Sequence, residues 1–207
     1  MKNNLTLIYV HDPMCSWCYG FKPVLESLHK KLNTSIEIEY LLGGLAKDSD
    51  LPMTEIMQNQ IKENWRTIEI TIPGIEFNYN FWTECIARRS TYPSCRAILA
   101  TIKQNINLEK EMLKLIQQAY YLEAKNPSDY NVLYELSRKL DLDKKQFIND
   151  IHSDEINIEL MSQIQRSREI GADSFPSLFL KIDDTYQPVA LDYNNADTII
   201  DHIKSFI

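Results

Sequence analysis

Two cysteines separated by two residues, Cys15-Ser16-Trp17-Cys18, stand between an apolar run at residues 5–10 and a segment, 21–28, whose apolar residues recur at helical spacing. A strand therefore leads into a helix, with the pair at the turn between them. Unpaired N–H groups and the positive end of the macrodipole at the start of a helix favour a thiolate on the first cysteine. Two intervening residues bring the second sulfur within one helical turn, where it can displace a mixed disulfide formed on the first. The same spacing is also half of a zinc site. However, Cys85 and Cys95 are ten positions apart and form no second knuckle, and His11, His29, His152 and His202 are scattered singly. Redox chemistry at Cys15 and Cys18, without a metal, is the reading carried forward.

The elements that must position this pair follow from periodicity. Residues 5–10 read as a strand, 15–32 as a helix, and 35–42 as a second strand that Gly43-Gly44 ends. An apolar stripe at three-to-four spacing predicts a helix over 52–70, broken at Ile72-Pro73-Gly74 and followed by an aromatic loop. Pro93 suits a first helical turn, with Thr91 or Ser90 as cap. Further helices fit 108–125, 129–140, 143–151 and 154–170, the last ended by Gly171. Residues 176–182 and 186–191 read as strands joined through Asp183-Asp184, and Asn195 or Asp197 caps a final helix to Phe206. The chain is thus α/β, in the order β-α-β, many helices, β-β-α. Trp65, Trp82, Tyr120 and Tyr121 fall on helical stripes and read as core in preference to a substrate groove.

At 207 residues with 44% hydrophobic content the chain can bury a core without structural disulfides, and no stretch approaches the roughly 20 apolar residues of a membrane span. A net charge of −7 argues against a nucleic-acid surface, and the one adjacent arginine pair, Arg88-Arg89, reads as a solvated helix entrance in preference to an anion or substrate contact. No export signal precedes the motif, so a cytoplasmic location is expected, where a Cys-x-x-Cys is more often catalytic than structural.

This order resembles the thioredoxin fold carrying a helical insertion, as in the DsbA-like thiol–disulfide oxidoreductases. It is nearest the cytosolic FrnE-like members, in which a strand is followed by Asp-Pro-x-Cys-x-Trp-Cys. Here Asp12-Pro13-Met14-Cys15-Ser16-Trp17-Cys18 fits, as do Leu42-Gly43-Gly44-Leu45, Arg88-Arg89-Ser90-Thr91-Tyr92-Pro93 and Gln117-Gln118-Ala119-Tyr120-Tyr121. The resemblance implies a discontinuous thioredoxin-like domain, residues 1–45 and 168–207, interrupted by an all-helical insertion, 46–167. It also implies that Pro176, in Gly171-Ala172-Asp173-Ser174-Phe175-Pro176, is a cis-proline facing the cysteines, with Phe175 at the substrate face. Three features depart from the periplasmic DsbA pattern: no evident export signal, Ser16-Trp17 between the cysteines, and Phe175 before the proline. Uncharged Trp17 replaces a histidine that would stabilise the thiolate, so a less oxidising couple with a reductase or isomerase tendency is expected.

The implied activity is reduction or isomerisation of protein or small-molecule disulfides. Cys15 acts as nucleophile, Cys18 resolves, Ser16 and Trp17 tune reactivity, and no cofactor is bound. Electrons come from glutathione or a thioredoxin-type reductant. Cys85 and Cys95 are a possible second redox pair, although two small buried hydrophobes is the commoner fate of free cysteine. Two rivals stand beside this reading: a glutathione-dependent transferase or isomerase resembling the kappa class, which needs no resolving thiol, and a thiol-bearing chaperone, which needs neither cysteine.

Overall fold

Alternation along Leu5–His11 (β1) sends Leu7 and Tyr9 to one face and Ile8 and Val10 to the other, all four buried, as a central strand requires. The computed structural model describes residues 5–32 and 36–207; residues 1–4 and Ser35, where the sequence opens the second strand, lie outside them. Ser16–Leu32 (α1) crosses over to Glu37–Leu42 (β2), which pairs parallel with β1. The helical block follows as Glu55–Thr71 (α2), Phe81–Glu84 (α3), Tyr92–Gln104 (α4), Glu109–Tyr121 (α5), Tyr130–Lys139 (α6), Lys144–Ile151 (α7) and Asp154–Glu169 (α8). Ser177–Ile182 (β3) and Thr185–Val189 (β4) then form a hairpin, and Ala196–Lys204 (α9) closes the chain. Sheet order is β2-β1-β3-β4, with β3 antiparallel to β1. This is the thioredoxin fold with helices set between β2 and β3.

Side-chain caps start α2 (Thr54), α7 (Asp143), α8 (Ser153) and α9 (Asn195), each accepting from a backbone N–H in the first turn. Thr91 stands at the N-cap of α4 but makes no capping bond, because its hydroxyl is committed elsewhere. The aromatic loop contains a turn of helix, α3, that its sequence does not announce; Phe81 buries there against Tyr120, ring centroids 4.7 Å apart. The helix expected to run to residue 125 stops at Tyr121, and Ala124 turns the backbone at φ 51°.

Phe21, Val24, Leu25 and Leu28 of α1 pack with Ile199 and Ile203 of α9 against Leu7, Tyr9, Leu178 and Leu180 on one sheet face. The helical block has its own core, which Leu42 joins from β2. A third cluster brings Met14 and Tyr19 against Trp65, Phe77 and Tyr121. The turn carrying the cysteines is thereby held between the sheet and the helical block.

Candidate active site

Cys15 directly precedes α1: its N–H donates to Asp12 O at 3.1 Å, and its carbonyl accepts from Tyr19 N at 3.0 Å. Its sulfur therefore lies at the amino end of the helix, where backbone N–H groups are unpaired. Cys18 lies within the first turn, 1% exposed against 7% for Cys15, so the first cysteine is the one presented to solvent. Burial pushes the Cys18 thiol well up from its ordinary pKa, and hydrogen bonding and charge at Cys15 push it further.

The Cys15 thiol donates to the carbonyl of Phe175 at 3.4 Å, bridging 160 positions of sequence. The Phe175–Pro176 peptide bond is cis. The Phe175 ring is held by two close neighbours. A Cβ at Gly43 would lie 2.0 Å from the ring, so only glycine permits this approach. The Arg168 guanidinium lies 5.1 Å from the ring centroid and donates to Gly43 O at 3.3 Å. Gly43 thus serves as a seat for Phe175 as well as a strand end.

A cavity of about 200 Å³ opens beside Cys15; its walls include Ser16, Trp17, Trp65, Arg89 and Phe175. Trp17 is half-buried, edge-on to Tyr193 at 5.1 Å. Arg88 and Arg89 are not a solvated helix entrance: both are half-buried in the loop before α4 and line this cavity. Arg88 is paired with Asp129, whereas Arg89 has no ion pair among the described residues. Trp65, Tyr120 and Tyr121 are core, as their spacing suggests, yet Trp65 and Tyr120 also form the cavity's inner wall.

Asp12, which the sequence offers only as part of a motif, is fully buried. Its Oδ1 accepts from Met14 N at 2.8 Å; its Oδ2 accepts from Leu45 N and the Thr91 hydroxyl, each at 2.6 Å, and from the Cys95 thiol at 3.7 Å. Burial raises its pKa while these four donors oppose the shift. One carboxylate therefore fastens the cysteine turn to the end of β2 and to the start of α4. A polar residue closing a buried strand just before a reactive cysteine is the sequence signal that could have revealed it.

The structure brings Cys95, but not Cys85, to this site. Cys95 is 0% exposed beside Asp12, while Cys85 is half-buried and donates to Ala124 O at 3.0 Å. All four thiols are free. Among the described residues, no three or more His, Cys, Asp or Glu side chains come together as a metal site, and no helix is long and apolar enough to cross a membrane.

Among solved structures, the chain is similar to a candidate protein disulfide isomerase from Nitrosomonas europaea, with 22% identity, a TM-score of 0.86, and coverage of 98% of this chain and 97% of that one. It is also similar to the cytosolic disulfide reductase DsbM from Pseudomonas aeruginosa, with 23% identity, a TM-score of 0.77 and coverage of 97% and 98%. DsbM has also been solved with GSH. At these identities the likeness is one of fold. A ClpXP adapter protein, SpxH, from Halalkalibacterium halodurans is 25% identical over 170 residues, covering 80% of this chain but 55% of the relative's length. The SpxH of Bacillus subtilis matches over 86% of this chain and 58% of its own length. The chain thus spans little more than half of the curated relatives it matches. A thioredoxin family model matches residues 8–195, so the chain belongs to the thioredoxin family, and its fold is the DsbA-like form of it.

Proposed function

We propose that this protein is a thiol–disulfide oxidoreductase that reduces or isomerises disulfides in the cytoplasm through a dithiol cycle. The Cys15 thiolate attacks one sulfur of a substrate disulfide, forming a mixed disulfide and releasing the other sulfur as a thiol. The Cys18 thiolate then attacks Cys15 Sγ, closing a Cys15–Cys18 disulfide and releasing the second substrate thiol. Two electrons from a thiol reductant restore the pair. One observation carries this reading: the more exposed sulfur sits at a helix start, on a cavity wall, facing the Phe175 carbonyl from the far end of the chain. Arg89 on that wall, without a carboxylate partner among the described residues, supports glutathione as electron donor because glutathione carries two carboxylates. The GSH complex of the similar DsbM points the same way.

The SpxH relatives, named as adapters, favour a second reading in which this fold binds a protein partner without redox turnover. Reduction of a disulfide-bonded peptide by glutathione, followed for wild type, Cys15→Ser, Cys18→Ser and the double variant, separates the readings. Loss of turnover in all three variants is expected. Turnover surviving Cys18→Ser would favour a kappa-type glutathione enzyme. Absence of turnover in wild type, with peptide binding kept by the double variant, would favour the adapter or chaperone.

A further inference from the structure

Phe175 presents its carbonyl to Cys15 from a loop, residues 171–176, that leaves the end of α8 and returns into β3. The root of this loop is fixed by backbone bonds, from Gly171 N to Arg168 O at 3.0 Å and from Ala172 N to Ser167 O at 2.9 Å, and by Ala172 itself, buried beside Ile8 and Val10. Beyond the root the loop turns outward. Asp173 and Ser174 are exposed, and Phe175 is half-buried.

Arg168, in the last turn of α8, has no carboxylate partner among the described residues, whereas Arg166 two positions earlier is paired with Glu39. Its guanidinium is spent on the loop instead. It donates to Ala172 O at the root and to Gly43 O, just past the end of β2, at 3.3 Å, and it lies over the Phe175 ring, 5.1 Å from the centroid. A planar fork suits this use, because separate N–H groups reach two carbonyls while the delocalised charge rests on an aromatic face. Gly43 is also the residue whose missing side chain makes room for the ring, so one guanidinium ties seat, ring and loop root together.

The hydrogen bond at the other end of this arrangement depends on redox state. The Cys15 thiol donates to Phe175 O at 3.4 Å while Cys15 is reduced, but in a Cys15–Cys18 disulfide the sulfur has no proton to give. A carbonyl held at this position therefore favours the dithiol over the disulfide.

We propose that Arg168 is a positioning residue for the redox couple: through the Phe175 ring it holds the Phe175 carbonyl on Cys15 and so stabilises the reduced pair. This rests on the dithiol cycle above. In glutathione buffer the couple is balanced as enzyme dithiol plus oxidised glutathione (GSSG) giving enzyme disulfide plus two GSH, with two electrons and two protons passing to glutathione. Loosening the carbonyl removes a bond from the left side of that equilibrium and none from the right, so the enzyme becomes easier to oxidise.

The test is the equilibrium of the couple in glutathione buffers at a pH of about 6, where an ordinary thiol keeps its proton, read by thiol trapping and mass analysis in wild type, Arg168→Met and Arg168→Lys. Arg168→Met keeps an apolar stem and removes donors and charge. Its equilibrium should shift towards the enzyme disulfide by about threefold to tenfold, the worth of one hydrogen bond, which is a potential lower by ~15–30 mV. Arg168→Lys, with a cation and donors but no fork, should recover part of that shift. In a Phe175→Leu background the same Arg168→Met change should move the equilibrium by less than about twofold, since the ring through which it acts is gone. An unchanged potential in Arg168→Met would overturn the proposal. So would an equal shift with and without the Phe175 ring, or no recovery in Arg168→Lys, either of which a merely structural role produces. If Arg168→Met does not fold, Arg168→Gln, which drops the charge over the ring, is read in the same way. A wild type that forms no Cys15–Cys18 disulfide at any glutathione ratio would instead refute the dithiol cycle itself.

Discussion

Two pairs of cysteines in this chain meet opposite fates. Cys15 and Cys18 share one helical turn at the junction of β1 and α1, with a cavity against each sulfur. Cys85 and Cys95 lie in different cores: Cys85 packs with the Trp65 cluster, and Cys95 is sealed in the helical block beside Asp12. Burial is the first cause raising the Cys85 and Cys95 thiols, and nearby carboxylates add to it: Asp129 and Glu84 at Cys85, Asp12 at Cys95. Reactivity of a cysteine is thus set by its local field and access, and ten residues of separation place two thiols in two unrelated fields.

The largest test of this contrast is kinetic. Cys15→Ser is expected to lower disulfide reduction by about three orders of magnitude or more, as loss of a covalent nucleophile does, whereas Cys85→Ser should stay within about twofold of wild type. A comparable loss in both would break the distinction between the pairs.

Acid should erase it. Burial without a hydrogen-bond partner lowers the pKa of His11 to about 3, whereas in the unfolded chain it returns to about 6.5. The folded state therefore binds fewer protons between these values. The His11 contribution to stability is fully present above pH of about 6.5 and falls by about 1.4 kcal/mol per unit as pH drops towards 3. Denaturant unfolding across this range should show that slope, and His11→Phe should flatten it. An unchanged slope in the variant would assign acid sensitivity elsewhere.

Asp12→Asn tests a link between the pairs. The amide offers a single acceptor oxygen where Asp12 uses two, and sets N–H donors against the Thr91 hydroxyl and Leu45 N–H. A loss of about 2–3 kcal/mol of stability is expected from the unmatched buried groups, with faster labelling of Cys95 by alkylating reagents. Gly43→Ala is the finest probe: overpacking against the Phe175 ring should cost about 1–3 kcal/mol and lower turnover while leaving Cys85 and Cys95 labelling unchanged.

Much of the architecture was legible before any coordinates. The Cys-x-x-Cys at a strand-to-helix turn, the β-α-β start, the β-β-α end and the all-helical middle could be read because hydrophobic period and turn chemistry are local. Arg88-Arg89 was misread for the same reason: adjacent charges look solvated until the tertiary fold turns their loop onto the groove beside Cys15. Thr91 looked like an ordinary cap, and only its meeting with a carboxylate 79 positions away gave its hydroxyl another use.

By itself the sequence determined where the two closely spaced thiols stand, the order of elements around them, and a β1 apolar enough to be buried on both faces. Tertiary structure alone decided that Phe175 faces Cys15, that Asp12 joins three segments, and that Arg89 lines the groove beside Cys15. These contacts depend on how a sheet and a helical block pack together, and packing brings together residues whose separation along the chain carries no local signal.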